Sequence, residues 1–457
     1  MLLKISRIFV YVSVFSVLVV MTSTFFPFIG GKDYFFRFSV ELSLLFFVLW
    51  WAIESGAGDV KARFRDISKK PVFIAVTLFV LAFMLATIFA YDPSAAFWSN
   101  YERGEGGFQL LHYYALFVIL VMLFDREDDW RRLFKASAIA AALMILYGIF
   151  ANLGWADNFI SPYQGAAPPS GWWQKLIKTR FQGSLGNPAY VAPYLVFSMF
   201  YTVYLWITSP SRKKRLVSAG YALLMIFYFF FLLISQTRGA LLGLAASIFV
   251  FLLWLVIATP SSRKYLVTAL FAFVIVFGTL VYFGNSEFVK KIPGGRIFSI
   301  SFSEQTVNTR LWTWGSAWHA FEDRPILGWG PENFSAAFDK YFDPRHYVPG
   351  QDTETWFDRA HNLLFDYLAE TGVVGALSYL SIFVVLLLGL FKNAWRERTN
   401  DQSLTHKSVQ ALMFSLPIGY LVQGVAIFEV LPMYLNVFLF WAFGFYYLYG
   451  RLTQKNG

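Results

Sequence analysis

NTRLWTWGSAWHAFEDRPILGWGPENF (308–334) and WFDRAHNLLFDYLAETGVVG (356–375) are the two ends of one long polar interruption in a chain otherwise made of apolar runs. A connection of about 75 residues is far longer than joining two helices requires, and a loop kept at that length has a task. It is rich in Trp, Arg and acid, holds His319 and His346, and delivers His361 where the sequence turns apolar again. In the chain as a whole, hydrophobic residues make up 57% and charged residues only 14%, well below the roughly one quarter usual in soluble domains. The 52 Phe and 16 Trp suit a bilayer core and its interfaces. There is no cysteine, which excludes a disulfide framework, thiolate metal sites and Cys nucleophiles. The net charge of +10 is dispersed, and no basic block is long enough to form a nucleic-acid-binding arm.

Apolar runs of about 18 residues or more read as membrane spans. They fall near 7–29, 35–54, 71–91, 107–124, 133–153, 188–208, 216–235, 239–259, 265–284, 373–391, 408–428 and 432–450. The expectation is an all-α, polytopic integral membrane protein of about twelve transmembrane helices with a large, partly helical outer loop, forming a single transmembrane domain over 1–457. The first run follows Lys4 and Arg7 as a signal peptide would, but it is long and lacks a small-residue cleavage site, so it reads as a retained anchor. Most of the 38 Lys and Arg fall on alternate short connections, including KARFRDISKK (61–70) and SRKKR (211–215). The positive-inside rule then places both termini in the cytoplasm, with the long loops 154–187 and 285–372 outside.

Within those loops, Pro188 fits the first turn of a helix capped by Asn187. Helical spacing over 308–322 brings Leu311, Trp314, Ala317, Trp318 and Phe321 onto one face. Pro331 is expected to open a helix over 331–342. The segment from His361 to Glu370 reads as a short amphipathic helix with Leu364, Tyr367 and Leu368 on one face and Gly372 as its stop.

Five polar groups lie on the outer side of this topology: Arg103, Arg180, Arg238, Arg310 and His361. Charge beside hydrocarbon is costly and is kept for pairing or function. One arginine at a span end more often snorkels to headgroups. A set of them facing one compartment suits a diphosphate at headgroup depth, because the guanidinium fork matches phosphate oxygens. His361 either caps its helix or serves as a general base. His319, among tryptophans on an expected helix, reads as packing or loop structure, His112 as an interhelical hydrogen bond and His406 as cytoplasmic. Asp339, Asp343, Asp352, Glu354 and Asp358 match no defined metal loop, and a solvated acidic surface is the simpler reading. No Walker loop, H-E-x-x-H or G-x-S-x-G pattern is present.

The run from Arg310 to Phe334, R-x-x-x-W-x-x-A-x-x-x-F-x-D-x-P-I-L-G-x-G-x-x-x-F, followed by A-H-N-L-L-F-D-Y-L-A-E-T-G-V-V-G from Ala360 to Gly375, resembles the signature of the O-antigen ligase/polymerase superfamily. Arg180 with Gly183, Asn187 and Pro188 resembles its R-x-x-G-x-x-x-N-P element. S-Q-T-R-G at 235–239 resembles S-x-S-R-G, with Thr237 in place of the second Ser. The resemblance implies a GT-C-like membrane glycosyltransferase that takes glycan from an undecaprenyl-diphosphate carrier with no metal or other cofactor. It implies that Arg180 and Arg238 hold the diphosphate, that Arg310 is a further loop arginine and that His361 activates the acceptor hydroxyl. The expected location is the bacterial inner membrane, with the active site on the periplasmic face. The acceptor is left open between lipid A core, another glycan chain and a protein side chain; the ligase reading leads, a polymerase is the alternative and a protein glycosylase comes third. A transporter of lipid-linked sugar is the reading from another class. It fits less well, because the ionisable groups gather at the rim and not at the midplane, with Glu41 the main exception.

Overall fold

The computed structural model describes residues 1–55, 57–100, 104–156, 170–299, 305–347, 355–397 and 403–450. Among these residues the chain is helical and contains no strand. In order, the helices are α1 (Leu2–Ser13), α2 (Gly30–Ile53), α3 (Ala57–Ile67), α4 (Pro71–Ile88), α5 (Pro93–Trp98), α6 (Gly107–Leu123), α7 (Glu127–Leu153), α8 (Trp172–Ile177) and α9 (Pro188–Ile207). They continue as α10 (Arg215–Ser235), α11 (Arg238–Ala258), α12 (Arg263–Tyr282), α13 (Glu287–Lys291), α14 (Gln305–Asp323), α15 (Phe334–Lys340), α16 (Leu363–Glu397), α17 (Leu404–Gly424) and α18 (Leu431–Phe445).

Nine of the described helices are long and apolar enough to cross a membrane: α2, α4, α7, α9, α10, α11, α12, α16 and α18. The protein is therefore an all-helical, polytopic membrane protein. Three of the twelve expected spans differ from that pattern, each for a physical reason. The run 107–124 is apolar but its helix α6 has only 17 residues. In 408–428, α17 carries Gln410, Ser415, Gln423 and an internal Pro417, which dilute its apolar character. In 7–29, α1 stops at Ser13 and tightens into a 3-10 turn, Val14–Leu18. At 1.5 and 2.0 Å per residue these pieces reach roughly 28 Å, nearly the hydrocarbon thickness, so 19–29 are released into turns. The far end of the turn is tied to the 180s loop, where Ser184 Oγ donates to Val17 O at 2.7 Å.

Glycines set the closest helix approach. Gly239, Gly243 and Ser247 recur every fourth residue on α11. A Cβ at Gly243 would lie 2.5 Å from Gly419 O, and Ser247 Oγ donates to Ser415 O at 3.1 Å. Small residues in this register let the backbones of α11 and α17 nearly touch. That contact places the end of α17 beside Arg238.

The described residues of the long loop are packed. Ala317, Ala320, Trp329, Phe334, Ala337, Phe338, Phe357, Ala360 and Ala369 form a hydrophobic core of their own, apart from that of the bundle. The turn at 325–330 lies along 369–373: Trp329 N donates to Ala369 O at 2.9 Å, Gly330 N to Glu370 O at 2.8 Å and Val373 N to Pro325 O at 2.8 Å. Gly328 and Gly372 make this possible. Both have positive φ, and a Cβ at either would fall 2.4 Å from the partner's backbone. Gly372 also breaks α16 into a docked first segment and a long span, as the sequence led us to expect. The helix expected to open at Pro331 starts at Phe334 instead, because residues 331–333 are spent leaving the turn.

Candidate active site

At one end of the bundle, which we call the loop end, the chain breaks its helices repeatedly to present polar side chains. Asn187 caps α9, accepting from Ala189 N at 2.8 Å. Phe181 N donates to Ile234 O at 3.1 Å, and Thr237 Oγ1 donates to Pro188 O at 3.0 Å. These two bonds sew the segment carrying Arg180 to the α10–α11 corner carrying Arg238. The corner itself turns through Gln236, held in the left-handed region at φ 56°.

Arg310 and His361 arrive from the loop module. Arg310 lies one turn before Trp314, whose indole nitrogen donates to Ala360 O at 3.0 Å and whose ring stacks on Phe365 at 5.5 Å. The His361 ring sits edge-on to Phe357 at 5.5 Å and to Phe428 at 4.9 Å. Phe428 in turn meets Tyr190, in the first turn of α9, at 6.1 Å. Asn362 Nδ2 donates to Val425 O at 3.0 Å, docking the start of α16 on the end of α17. His361 is thereby brought to the same end of the bundle as the arginines.

The charges of Arg238, Arg310 and Arg296 all act on Arg180. Burial against protein atoms, then these three neighbours, push its guanidinium below its ordinary value, although part of it stays open to solvent. Like charges held together in this way are costly unless an opposite charge offsets them. Arg296 was not singled out in the sequence. Its 3-10 turn, Gly295–Phe298, is pressed on the loop end of α10 through Gly294, where a Cβ would lie 2.3 Å from Leu233 O. The signal available was the glycine pair, Gly294 and Gly295, immediately before the arginine. Arg103 lies outside the described residues.

His361 itself has φ 53°, a conformation that favours glycine. It does not cap α16. That role falls to Asn362, whose Oδ1 accepts from Leu364 N at 3.0 Å and Phe365 N at 3.2 Å. His361 Nδ1 lies 3.1 Å from Arg359 O. A carbonyl can only accept, so in the neutral ring the proton sits on Nδ1 and Nε2 carries the lone pair. The first segment of α16 also differs from the expected amphipathic face. Leu364 is exposed, whereas Asp366, Tyr367 and Glu370 are buried. The Arg359 guanidinium binds both Glu370 oxygens at 2.7 Å and also pairs with Glu332.

The remaining histidines are placed elsewhere. His112 Nε2 meets Glu41 Oε1 at 3.0 Å between α6 and α2, the interhelical bond expected of it. His319 does not pack among tryptophans. It is exposed and pairs with Glu322 at 3.0 Å. His346 is buried among Trp312, Phe338, Phe342 and Phe357, and burial pushes its pKa down. His406 meets Glu397 at 2.8 Å. Of the acids, Asp339 accepts from Trp356 Nε1 at 3.2 Å and Asp343 is bound by Arg345, while Asp352 and Glu354 lie outside the described residues. Among the described residues, no three His, Asp or Glu side chains come together as a metal site would require.

Below the arginines, an apolar cavity of about 220 Å³ opens between α9, α10, α11 and α17, lined by Val196, Phe200, Met225, Leu244, Phe251 and Leu416. Leu244 is six residues into α11 from Arg238, roughly 9 Å along the axis.

Residues 222–380 match the O-Antigen ligase family model, Wzy_C. The match covers about a third of the chain and supports a likeness to the O-antigen ligase superfamily and to its ligase- or polymerase-like function. It spans Arg238, Arg310 and His361, the kink at Gly372 and the loop module. No curated protein matches the chain.

Proposed function

We propose that this O-antigen ligase-family chain acts as one transmembrane unit over 1–457 that moves a glycan from an undecaprenyl-diphosphate carrier to an acceptor hydroxyl, lipid A core or a similar glycan. We place it in the bacterial inner membrane with both termini cytoplasmic and the loop end facing the periplasm. The observation that carries the reading is the meeting of Arg180, Arg238, Arg310 and Arg296 with His361 at one end, above an apolar cavity.

Each part has a task. The guanidiniums hold the diphosphate and stay charged at any relevant pH. The apolar cavity receives the polyprenyl chain below them. His361 Nε2 takes the acceptor's proton as the hydroxyl oxygen bonds to the anomeric carbon. The bond from that carbon to the phosphate oxygen breaks, and its electron pair leaves on the diphosphate, whose growing charge the arginines neutralise. No metal-bound step is needed, since guanidinium charge and positioning supply the stabilisation.

Arg180→Ala and Arg238→Ala should each weaken binding of a polyprenyl-diphosphate oligosaccharide and lower turnover. Lysine at either position should rescue only in part, because the fork is lost. Unchanged donor binding in both alanine variants, at normal expression, would mean that these side chains merely snorkel.

A further inference from the structure

We infer that Asp366 is a positioning residue for His361: it fixes the backbone immediately before the histidine and so sets where the imidazole stands. The inference rests on His361 being the base. Asp366 Oδ1 accepts from Ala360 N at 2.5 Å. The side chain is 6% exposed, and its other oxygen, Oδ2, has no partner among the described residues. Burying a carboxylate with one oxygen unsatisfied is expensive. The one bond it makes holds the 359–360 peptide, one step before a left-handed histidine.

The neighbouring contacts divide the work. Arg359, the residue before Ala360, is clamped on Glu370 and Glu332, and Ala360 O accepts from Trp314 Nε1. Asn362, the residue after His361, caps α16 and reaches Val425 O. Both flanks of His361 are thus anchored through side chains and carbonyls. The Ala360 N–H belongs to the 359–360 peptide, and Asp366 holds it, while Trp314 holds the Ala360 carbonyl of the next peptide, so Ala360 is fixed on both sides as the chain enters His361. A base displaced by about 1 Å can lose on the order of 10²-fold in rate. Asp366 touches neither the arginine group nor the cavity beneath it, so donor binding should not depend on it.

The test measures kcat and donor KM for Asp366 variants of the full chain in nanodiscs, using a synthetic polyprenyl-diphosphate oligosaccharide. Asp366→Ala should lower kcat on the order of 10²-fold with KM unchanged. Asp366→Asn keeps an acceptor oxygen for Ala360 N and should stay within a few-fold of the parent. Asp366→Glu keeps a carboxyl group but misplaces the oxygen, and should be impaired. If Asp366→Ala does not accumulate, the Asn and Glu pair decides the matter alone. Combining Asp366→Ala with His361→Ala should cost nothing beyond His361→Ala. An active Asp366→Glu, a loss confined to KM, or additive losses in the double variant would overturn the inference. His361→Ala with full activity would instead overturn the base assignment on which it rests.

Discussion

Position 361 asks for glycine on backbone grounds and carries histidine, so replacing it separates stability from catalysis. An L-residue in the left-handed region costs about 1–2 kcal/mol. Glycine relieves that but has more unfolded-state freedom to lose, about 0.4–1 kcal/mol. His361→Gly should therefore leave the 355–371 segment about 1 kcal/mol more stable than His361→Ala does, roughly fivefold in its opening equilibrium. Both variants lose the ring's edge contacts with Phe357 and Phe428, so those contacts cancel in the comparison. Both also lose the base, a drop of about 10²–10⁴-fold in turnover. Amide hydrogen exchange across this segment, measured alongside turnover in the same detergent, reads both quantities. Equal protection in the two variants would refute the left-handed assignment. Parent-like turnover in either would refute the base.

The other predictions concern the surroundings of that residue. Arg296→Ala should lower kcat/KM about tenfold or more, the worth of a charge-assisted phosphate contact, and unchanged kinetics would remove it from the donor site. Gly328→Ala forces a Cβ to 2.4 Å from the Glu370 backbone in a positive-φ position, and should destabilise the loop module by more than about 2 kcal/mol, read as faster limited proteolysis of the loop. His346, whose pKa burial lowers from 6.5, binds its proton more readily when unfolded. Its contribution is therefore present above about pH 6.5 and lost as pH falls toward the folded value, and His346→Phe should flatten that acid-side fall in loop protection. Turnover should survive EDTA. Loss on chelation with recovery in Mg²⁺ or Mn²⁺ would bring Asp339, Asp343 and Asp358 back as ligands.

Much of this arrangement was legible in the sequence where one local rule decided the outcome. Asn187 and Pro188 read correctly as cap and first turn, the 308–322 spacing as a helix, and Gly372 as a break, since each depends on neighbours within a turn. The shortened first span was not legible. Apolar composition continues to residue 29, and only the 3-10 tightening after Ser13 reveals that the distance has already been covered. Asn362 and not His361 caps α16 because the histidine's backbone is left-handed, which side-chain pattern does not report. His319 read as packing or loop structure because tryptophans surround it in sequence; it is exposed, and Trp318 beside it is 45% exposed. Arg296 was hidden because its place comes from a turn docking on α10 across more than fifty residues of chain, a tertiary contact whose one local mark is the glycine pair before it.

The central claim is that the loop end breaks the bond between glycan and lipid diphosphate. The most direct measurement supplies purified protein in detergent, where no membrane barrier exists, with a polyprenyl-diphosphate oligosaccharide and a candidate acceptor. Free polyprenyl diphosphate and glycosylated acceptor are then quantified by mass spectrometry. The account predicts that the two products appear in equal amounts, and that Arg238→Ala and His361→Ala lower both together. Intact donor after prolonged incubation with lipid A core, with a second lipid-linked glycan and with a hydroxyl-bearing peptide would contradict it.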